Sequence, residues 1–275
     1  DGLSDVLIGM PGYDNGQVDE GRVLFFSGEG AALPGTPTGI READQAGALF
    51  GASVASAGDV NRDGFSDLLI GAPGYDNGET DEGRAVVYFG SPFGPTLSIS
   101  WSGEGEQAGA AFGSSVATAG DVNGDGFSDI VVGAPFHDDG EVDEGRASLY
   151  LGSLSGPGAV ALWSHDGNQV DAHLGSSVSG AGDVNADGFS ELMLGAPGFD
   201  GAVSDEGRVI THYGSAAGPV IPVVMPGGQA GALLGFSVAA AGDVDGDGFG
   251  DIVIGAPGSA NGQTGEGFAY LHYGN

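Results

Sequence analysis

One nine-residue segment returns along the chain at a nearly fixed spacing, and that period restricts the fold more than any other feature. Asp59-Val-Asn-Arg-Asp-Gly-Phe-Ser-Asp67 recurs as Asp121 to Asp129, Asp183 to Glu191 and Asp243 to Asp251, with first acids 62, 62 and 60 residues apart. Asp1-Gly-Leu-Ser-Asp5 is the second half of a fifth copy, in register with Asp63 to Asp67. Self-similarity at a long fixed period marks a stack of supersecondary units, none of which buries its apolar face alone.

Each unit has the same internal order. Phe50 to Gly58 alternates larger and smaller residues, as a strand with one tightly packed face does. The acidic loop follows, then Leu68-Leu-Ile70, stopped by Gly71-Ala-Pro73. A polar hairpin loop, Tyr75 to Gly83, leads into a third strand, Arg84 to Phe89, and a weaker fourth strand contains Ile99-Ser-Trp101. No segment sustains a 3.6-residue apolar period, so the chain is expected to be all-β. Four short antiparallel strands per unit of about 60 residues suit a β-propeller blade better than a sandwich. A solenoid is the rival, but its coils have shorter periods.

The pairs Phe50-Gly51 and Gly71-Ala72-Pro73 bracket an Asp-x-Asn-x-Asp-Gly loop, and this pattern resembles the FG-GAP repeat. Phe112-Gly113 with Gly133-Ala-Pro135 matches fully. Leu174-Gly175 and Leu234-Gly235 replace phenylalanine by leucine, and the first unit reads Gly9-Met-Pro11. The resemblance covers essentially the whole chain. It implies a propeller like the seven-bladed head of integrin α subunits, in a family also found in bacterial secreted proteins. Blades are expected at 50–111, 112–173 and 174–233, with partial blades at 1–49 and 234–275. Second and third strands occur five times but the Phe/Leu-Gly strand only four. Five whole blades would need about 310 residues at this period. The chain, starting at Asp1 with no basic and apolar leader, therefore reads as a processed or excised piece of a longer propeller, or as a unit completed by another chain.

In the acidic loop, Asp59, Asn61, Asp63 and Asp67 fall at positions 1, 3, 5 and 9. Calcium takes six to eight oxygen ligands, and alternate side chains of a curled loop converge on one ion. Position 7 supplies its backbone carbonyl, so Phe65 is a candidate ligand whose ring is expected to pack inward, and Gly64 permits the turn. Position 12 is Ile70 and the flanks are strands, so this is no EF-hand. Asp121, Asn123, Asp125, Phe127 and Asp129 repeat the set, as do Asp183, Asn185, Asp187, Phe189 and Glu191, where the longer acid closes the loop. Asp243, Asp245, Asp247, Phe249 and Asp251 carry one extra carboxylate, whereas Asp1, Leu3 and Asp5 are half a site. Aspartate and glycine also make plain solvated turns. Against that reading, three carboxylates within nine residues repel one another unless a cation lies between them. Calcium is the expected cofactor, since magnesium demands a smaller octahedron and resists losing water.

The 38 acids face six basic residues, all arginine, for a formal charge of −32. Four calcium ions would bring this to about −24. Such a surface excludes nucleic acid, which requires cationic contacts, and anionic membranes alike. Zero cysteine removes disulfides and thiolate chemistry. No apolar stretch of about 18 residues is present for membrane insertion. Four of the arginines recur in Asp19-Glu-Gly-Arg22, Asp81-Glu-Gly-Arg84, Asp143-Glu-Gly-Arg146 and Asp205-Glu-Gly-Arg208, while Gly265-Glu-Gly-Phe268 lacks the base. Repetition in every unit favours an Arg–carboxylate bridge pinning the hairpin loop over a ligand site or a second cation site with Asp76 and Asn77. HExxH spacing and the G-x-S-x-G elbow are both missing. His137, beside Asp138 and Asp139, reads as a solvated loop residue, and Trp101 and Trp163 as outer-strand packing.

These readings lead to a non-catalytic, calcium-stabilised, secreted or cell-surface propeller for adhesion or ligand binding. Its partner would be an extracellular protein, a glycan or a second copy through open blade edges. The rivals are a structural repeat forming fibres or surface layers, and a module of a secreted polysaccharide-active hydrolase.

Overall fold

The computed structural model describes residues 4–28, 34–220, 222–263 and 265–275, and holds five antiparallel sheets with no helix among those residues. The first sheet comprises β1 (Val6–Met10), β2 (Arg22–Phe26) and β3 (Gly39–Glu42). The second has β4 (Ser53–Gly58), β5 (Asp67–Ala72), β6 (Arg84–Tyr88) and β7 (Trp101–Glu104), and the third β8 (Ser115–Gly120), β9 (Asp129–Ala134), β10 (Arg146–Tyr150) and β11 (Trp163–Asp166). The fourth is β12 (Ser177–Gly182), β13 (Glu191–Ala196), β14 (Arg208–His212) and β15 (Pro222–Pro226). The fifth is β16 (Ser237–Gly242), β17 (Asp251–Ala256) and β18 (Phe268–His272). Strands are hydrogen-bonded in chain order within every sheet. The first sheet lacks the Phe/Leu-Gly strand and the fifth lacks the fourth strand, which is the arrangement of a partial propeller. The fourth strand begins at Trp101, two residues later than its sequence placement at Ile99.

The cores lie between successive sheets. Leu69, Val87 and Trp101 of the second sheet meet Ile130, Val132 and Tyr150 of the third, and Val131 and Leu149 of the third meet Leu192, Leu194 and Ile210 of the fourth. Because β9 and β13 are covered on both faces, all six residues of each are buried. This is why Ile130-Val-Val132 and Leu192-Met-Leu194 are continuous apolar runs rather than alternating ones. The tryptophans pack as expected of outer strands. Trp101 sets its ring edge-on to Tyr150 of the next sheet at 4.9 Å and donates Nε1–H to Gly158 O at 2.9 Å. Trp163 packs against His212 of the next sheet at 4.7 Å.

The first strands β4, β8, β12 and β16 run side by side from sheet to sheet, and their small residues permit it. Here the repeat motif acquires a physical meaning. Gly113 N–H donates to Gly133 O within the third sheet at 2.9 Å, while a Cβ on Gly133 would stand 2.0 Å from the carbonyl oxygen of Gly175 in the fourth. Gly71, Gly133 and Gly195 of the Gly-Ala-Pro turns thus lie directly under the backbone of the following Phe/Leu-Gly pair.

Each complete first strand ends in a β-bulge, at Ser56/Gly58, Thr118/Gly120, Gly180/Gly182 and Ala240/Gly242. The bulge turns the chain into the acidic loop. That loop joins first and second strands. In an antiparallel sheet, the second–third hairpin and the exit from the fourth strand then lie at the opposite end.

Candidate metal centres

The four complete loops share one hydrogen-bond scheme built from their own acids. Asp59 Oδ1 accepts the Asp63 N–H at 3.0 Å and its Oδ2 accepts the Gly64 N–H at 2.9 Å. Asp63 Oδ1 accepts the Phe65 N–H at 3.0 Å, and Asn61 Nδ2 donates to Asp63 Oδ2 at 2.9 Å. Asp121, Asn123 and Asp125 repeat these bonds, as do Asp183, Asn185 and Asp187. In the last loop Asp245 replaces the asparagine, so no amide donor faces Asp247. The acids curl the backbone around themselves.

Position 9 closes the loop from below. Asp67, Asp129, Glu191 and Asp251 are all 0% exposed. Asp67 Oδ2 accepts the Val60 N–H at 2.9 Å and its Oδ1 the Gly90 N–H at 2.8 Å, which ties the loop to the end of the third strand. Asp129 and Asp251 make the equivalent pairs. Asp5 accepts the Gly28 N–H at 2.8 Å, so the incomplete copy keeps this tie. Asp1 and Leu3 lie outside the described residues.

Glu191 departs from the pattern in length and in surroundings. Its Oε2 accepts the Val184 N–H at 2.6 Å, while its buried Oε1 has no hydrogen-bond partner. Ligand oxygens of Asp183, Asp187 and Glu191 lie within 4.8 Å of one another, as do those of Asp243, Asp245 and Asp247. An orphaned, buried carboxylate oxygen facing two more acids fits a hard divalent cation, because a buried anionic oxygen without partner is otherwise costly.

Burial raises the pKa values of these acids accordingly. The carboxyl of Asp67 is pushed up to about 6, and those of Asp129 and Glu191 to about 7, chiefly by loss of water. An acid whose folded pKa exceeds its unfolded value favours folding when protonated and opposes it when ionised. The contribution is full below about pH 4, the unfolded carboxylate range, and is lost as pH rises through 6 to 7. In chelator the melting temperature is expected to fall between pH 5 and pH 8. Saturating cation, which stabilises the ionised form, should flatten that slope; calorimetry at both pH values with and without chelator checks it.

The loops also join the sheets. Asp59 O and Val60 O accept N–H groups from Ser128 and Ser153 of the next sheet at 3.1 and 3.0 Å. Asp121 and Val122 do the same with Ser190 and Ser215, and Asp183 and Val184 with Gly250 and Asn275. The phenylalanine rings are partly buried and correct the expectation of inward packing. Phe127 lies under the Arg62 guanidinium at 5.8 Å, and a Cβ on Gly124 would meet the Phe189 ring at 2.7 Å. The Phe127 and Phe189 rings thus lean sideways onto position 4 of the preceding loop, where loops stack from sheet to sheet.

At the opposite end, the Asp-Glu-Gly-Arg clusters work differently from their sequence reading. Arg22 pairs with Glu42 at 2.6 Å, Arg84 with Glu104 at 3.6 Å and Arg146 with Asp166 at 2.6 Å, all on the fourth strand in cross-strand register. Among the described residues, only Arg146 also reaches a hairpin acid, Asp139, at 2.8 Å. Opposite Arg208 stands Pro226. Arg208 instead stacks 3.6 Å over Phe199 and donates to Gly167 O. The loop is pinned by the glutamate, which sequence reasoning passed over. Glu144 is 1% exposed and accepts the Asp139 N–H of its own hairpin at 2.6 Å and the Asn168 N–H of the following connection at 2.7 Å. Glu206 does the same with Ala202 and Gly228. Its recurrence in all five clusters was the available signal.

The FG-GAP repeat family model matches residues 50–88, 112–150, 174–212 and 234–272, more than half of the chain. The chain belongs to the FG-GAP repeat family. Its similarity to integrin alpha-5 of Xenopus laevis is 33% identity over 222 residues, 77% of this chain and 20% of that protein. Integrin alpha-V of Gallus gallus is 34% identical over 218 residues, 75% of this chain and 20% of that protein. Integrin alpha-3 of Cricetulus griseus is 37% identical over 167 residues, 57% of this chain and 15% of that protein. The FG-GAP chain spans about a fifth or less of the length of these relatives. Among solved structures, an exotype rhamnogalacturonan lyase, YesX, aligns with a TM-score of 0.45 and 15% identity over 85% of this chain and 46% of that chain, a likeness too low to bear on function. No helix among the described residues is long and apolar enough to cross a membrane.

Proposed function

We propose that this FG-GAP chain is a non-catalytic, calcium-stabilised extracellular propeller module for adhesion or ligand binding. Its blades are 50–111, 112–173 and 174–233, with partial blades at 1–49 and 234–275. The ligands are the oxygens at positions 1, 3, 5, 7 and 9 of the loops starting at Asp59, Asp121, Asp183 and Asp243. The observation that carries the reading is the position of these loops at the joints between sheets. All four contain a fully buried acid, and those at Asp59, Asp121 and Asp183 also supply backbone carbonyls that hold the next sheet. An ion that locks the loop locks the joint, and so fixes the faces that long loops present. The family kinship with integrin alpha subunits supports an extracellular protein or glycan as partner, at the millimolar calcium where loops of this donor set bind, with Kd roughly 10⁻⁴ to 10⁻³ M.

Calcium titration by calorimetry, followed by screening of immobilised glycans and matrix proteins with and without calcium, tests the proposal. Calcium-dependent binding of a glycan or protein is the expected result. Turnover on a polysaccharide panel would replace it with the hydrolase reading, and a mass that grows with concentration would replace it with a self-assembling repeat. Asp125→Ala is expected to remove one calcium from the titration and to lower the melting temperature in calcium by several degrees. The same change at Asp5, in the incomplete copy, should leave the calcium stoichiometry unaltered.

A further inference from the structure

The units are near copies, so a position where one alone changes its chemistry is informative. The connection from β11 to β12 carries Asp171 and His173. Its counterparts hold Gly47 and Leu49, Gly109 and Ala111, and Gly231 and Leu233. These residues lie at the end of the sheets opposite the acidic loops, beside the repeated hairpin acid Asp143. The Asp171 N–H donates to Val142 O at 2.9 Å and the His173 N–H to Asp143 O at 3.1 Å, which lays the two segments side by side.

One ligand atom each from Asp143, Asp171 and His173 falls within 4.8 Å of the others. The His173 ring is steadied edge-on by Phe136 at 5.3 Å, and on its other side Gly198 leaves room, since a Cβ there would stand 3.2 Å from Nδ1. Arg146, from the same hairpin, is engaged by Asp139 and Asp166. Among the described residues, none of the three side chains has a hydrogen-bond or ion-pair partner. An open groove of about 440 Å³, lined by Glu141, Asn168, Asp171, Asp200 and Asp205 among others, begins at Asp171.

Two carboxylates at this separation repel unless a cation lies between them. An imidazole nitrogen joined to two carboxylate oxygens is a donor set for zinc and its first-row neighbours, whereas calcium takes oxygen alone. Three protein ligands leave at least one coordination position unfilled. We propose that Asp143, Asp171 and His173 bind one divalent first-row transition-metal ion of the zinc class, with an open coordination position toward the groove. The site is distinct from the calcium loops and does not depend on them.

The test uses Co²⁺ as a spectroscopic probe, with Zn²⁺ as competitor, on protein held in about 10 mM calcium to fill oxygen-only loops. The wild type is expected to bind one Co²⁺ with a visible d–d absorption that Zn²⁺ abolishes. His173→Leu and Asp171→Gly install the residues of sibling units, so both should keep the wild-type melting temperature in calcium. Loss of an outer-shell partner alone costs about 10–100-fold in metal affinity. Removal of a ligand by either change is therefore expected to weaken Co²⁺ binding by about 100-fold or more. A wild type without the absorption band, or a His173→Leu variant that binds Co²⁺ as the wild type does, would overturn the assignment.

Discussion

Removing divalent cations with EDTA is expected to lower the melting temperature by more than about 10 °C. A ligand that binds only the folded state stabilises by RT ln(1 + [L]/Kd). At about 10 mM calcium and Kd of roughly 10⁻⁴ to 10⁻³ M, each loop contributes about 1.4–2.7 kcal/mol. Four loops then supply roughly 6–11 kcal/mol, comparable to the whole stability of an ordinary domain. For a chain of this size, 1 kcal/mol moves the melting point by about 2–4 °C. The loss should be cooperative, because the loops at Asp59, Asp121 and Asp183 also supply the carbonyls that hold the next sheet, as Asp59 and Val60 do for Ser128 and Ser153. Differential scanning calorimetry in calcium, in EDTA and after calcium is restored measures it. An unchanged melt in EDTA would mean that the loops are held by hydrogen bonds alone.

The second large effect is expected at a residue outside the acidic loops. Gly133→Ala places a Cβ 2.0 Å from Gly175 O and 2.4 Å from Ser115 Oγ. The first neighbour is backbone of the next sheet and cannot rotate away. Relief requires the third and fourth sheets to part at the Gly133–Gly175 approach. Overpacking of this kind costs typically 1–3 kcal/mol and more where the obstacle is rigid, so a loss of about 3 kcal/mol or more is expected. Gly35→Ala is the control. Its Cβ would meet nothing within 4 Å, and a change within about 0.5 kcal/mol is expected. Urea denaturation of both variants in calcium gives the comparison. Equal stabilities would show that the sheets are not packed backbone to backbone at the Gly-Ala-Pro turns.

Much of this architecture is legible in the sequence because it is encoded locally. Strand, acidic loop, strand and Gly-Ala-Pro turn follow one another within about 25 residues, and the repeat supplies independent readings of each. The count of four Phe/Leu-Gly strands against five second strands anticipates the three-stranded first sheet. What was not legible depends on neighbours across strands or sheets. Arg84 finds Glu104 through cross-strand register, although Glu42, Glu104 and Asp166 each stand 20 residues after their arginine. The Phe127 ring meets Arg62 of the preceding loop only once the sheets are stacked. Glu144 is a buried clamp because Asn168 returns beside it from the following connection. Asp171 and His173 are visible as departures from the repeat, but their approach to Asp143 is a property of the fold.

The most direct measurement is the metal content of the native protein, exchanged into calcium-containing buffer, freed of loosely held ions and analysed by native mass spectrometry alongside elemental analysis. Four alkaline-earth ions per chain are predicted, one for each complete loop. A folded chain that carries none would contradict the account, leaving its stacked acidic loops as turns sustained by their own backbone bonds.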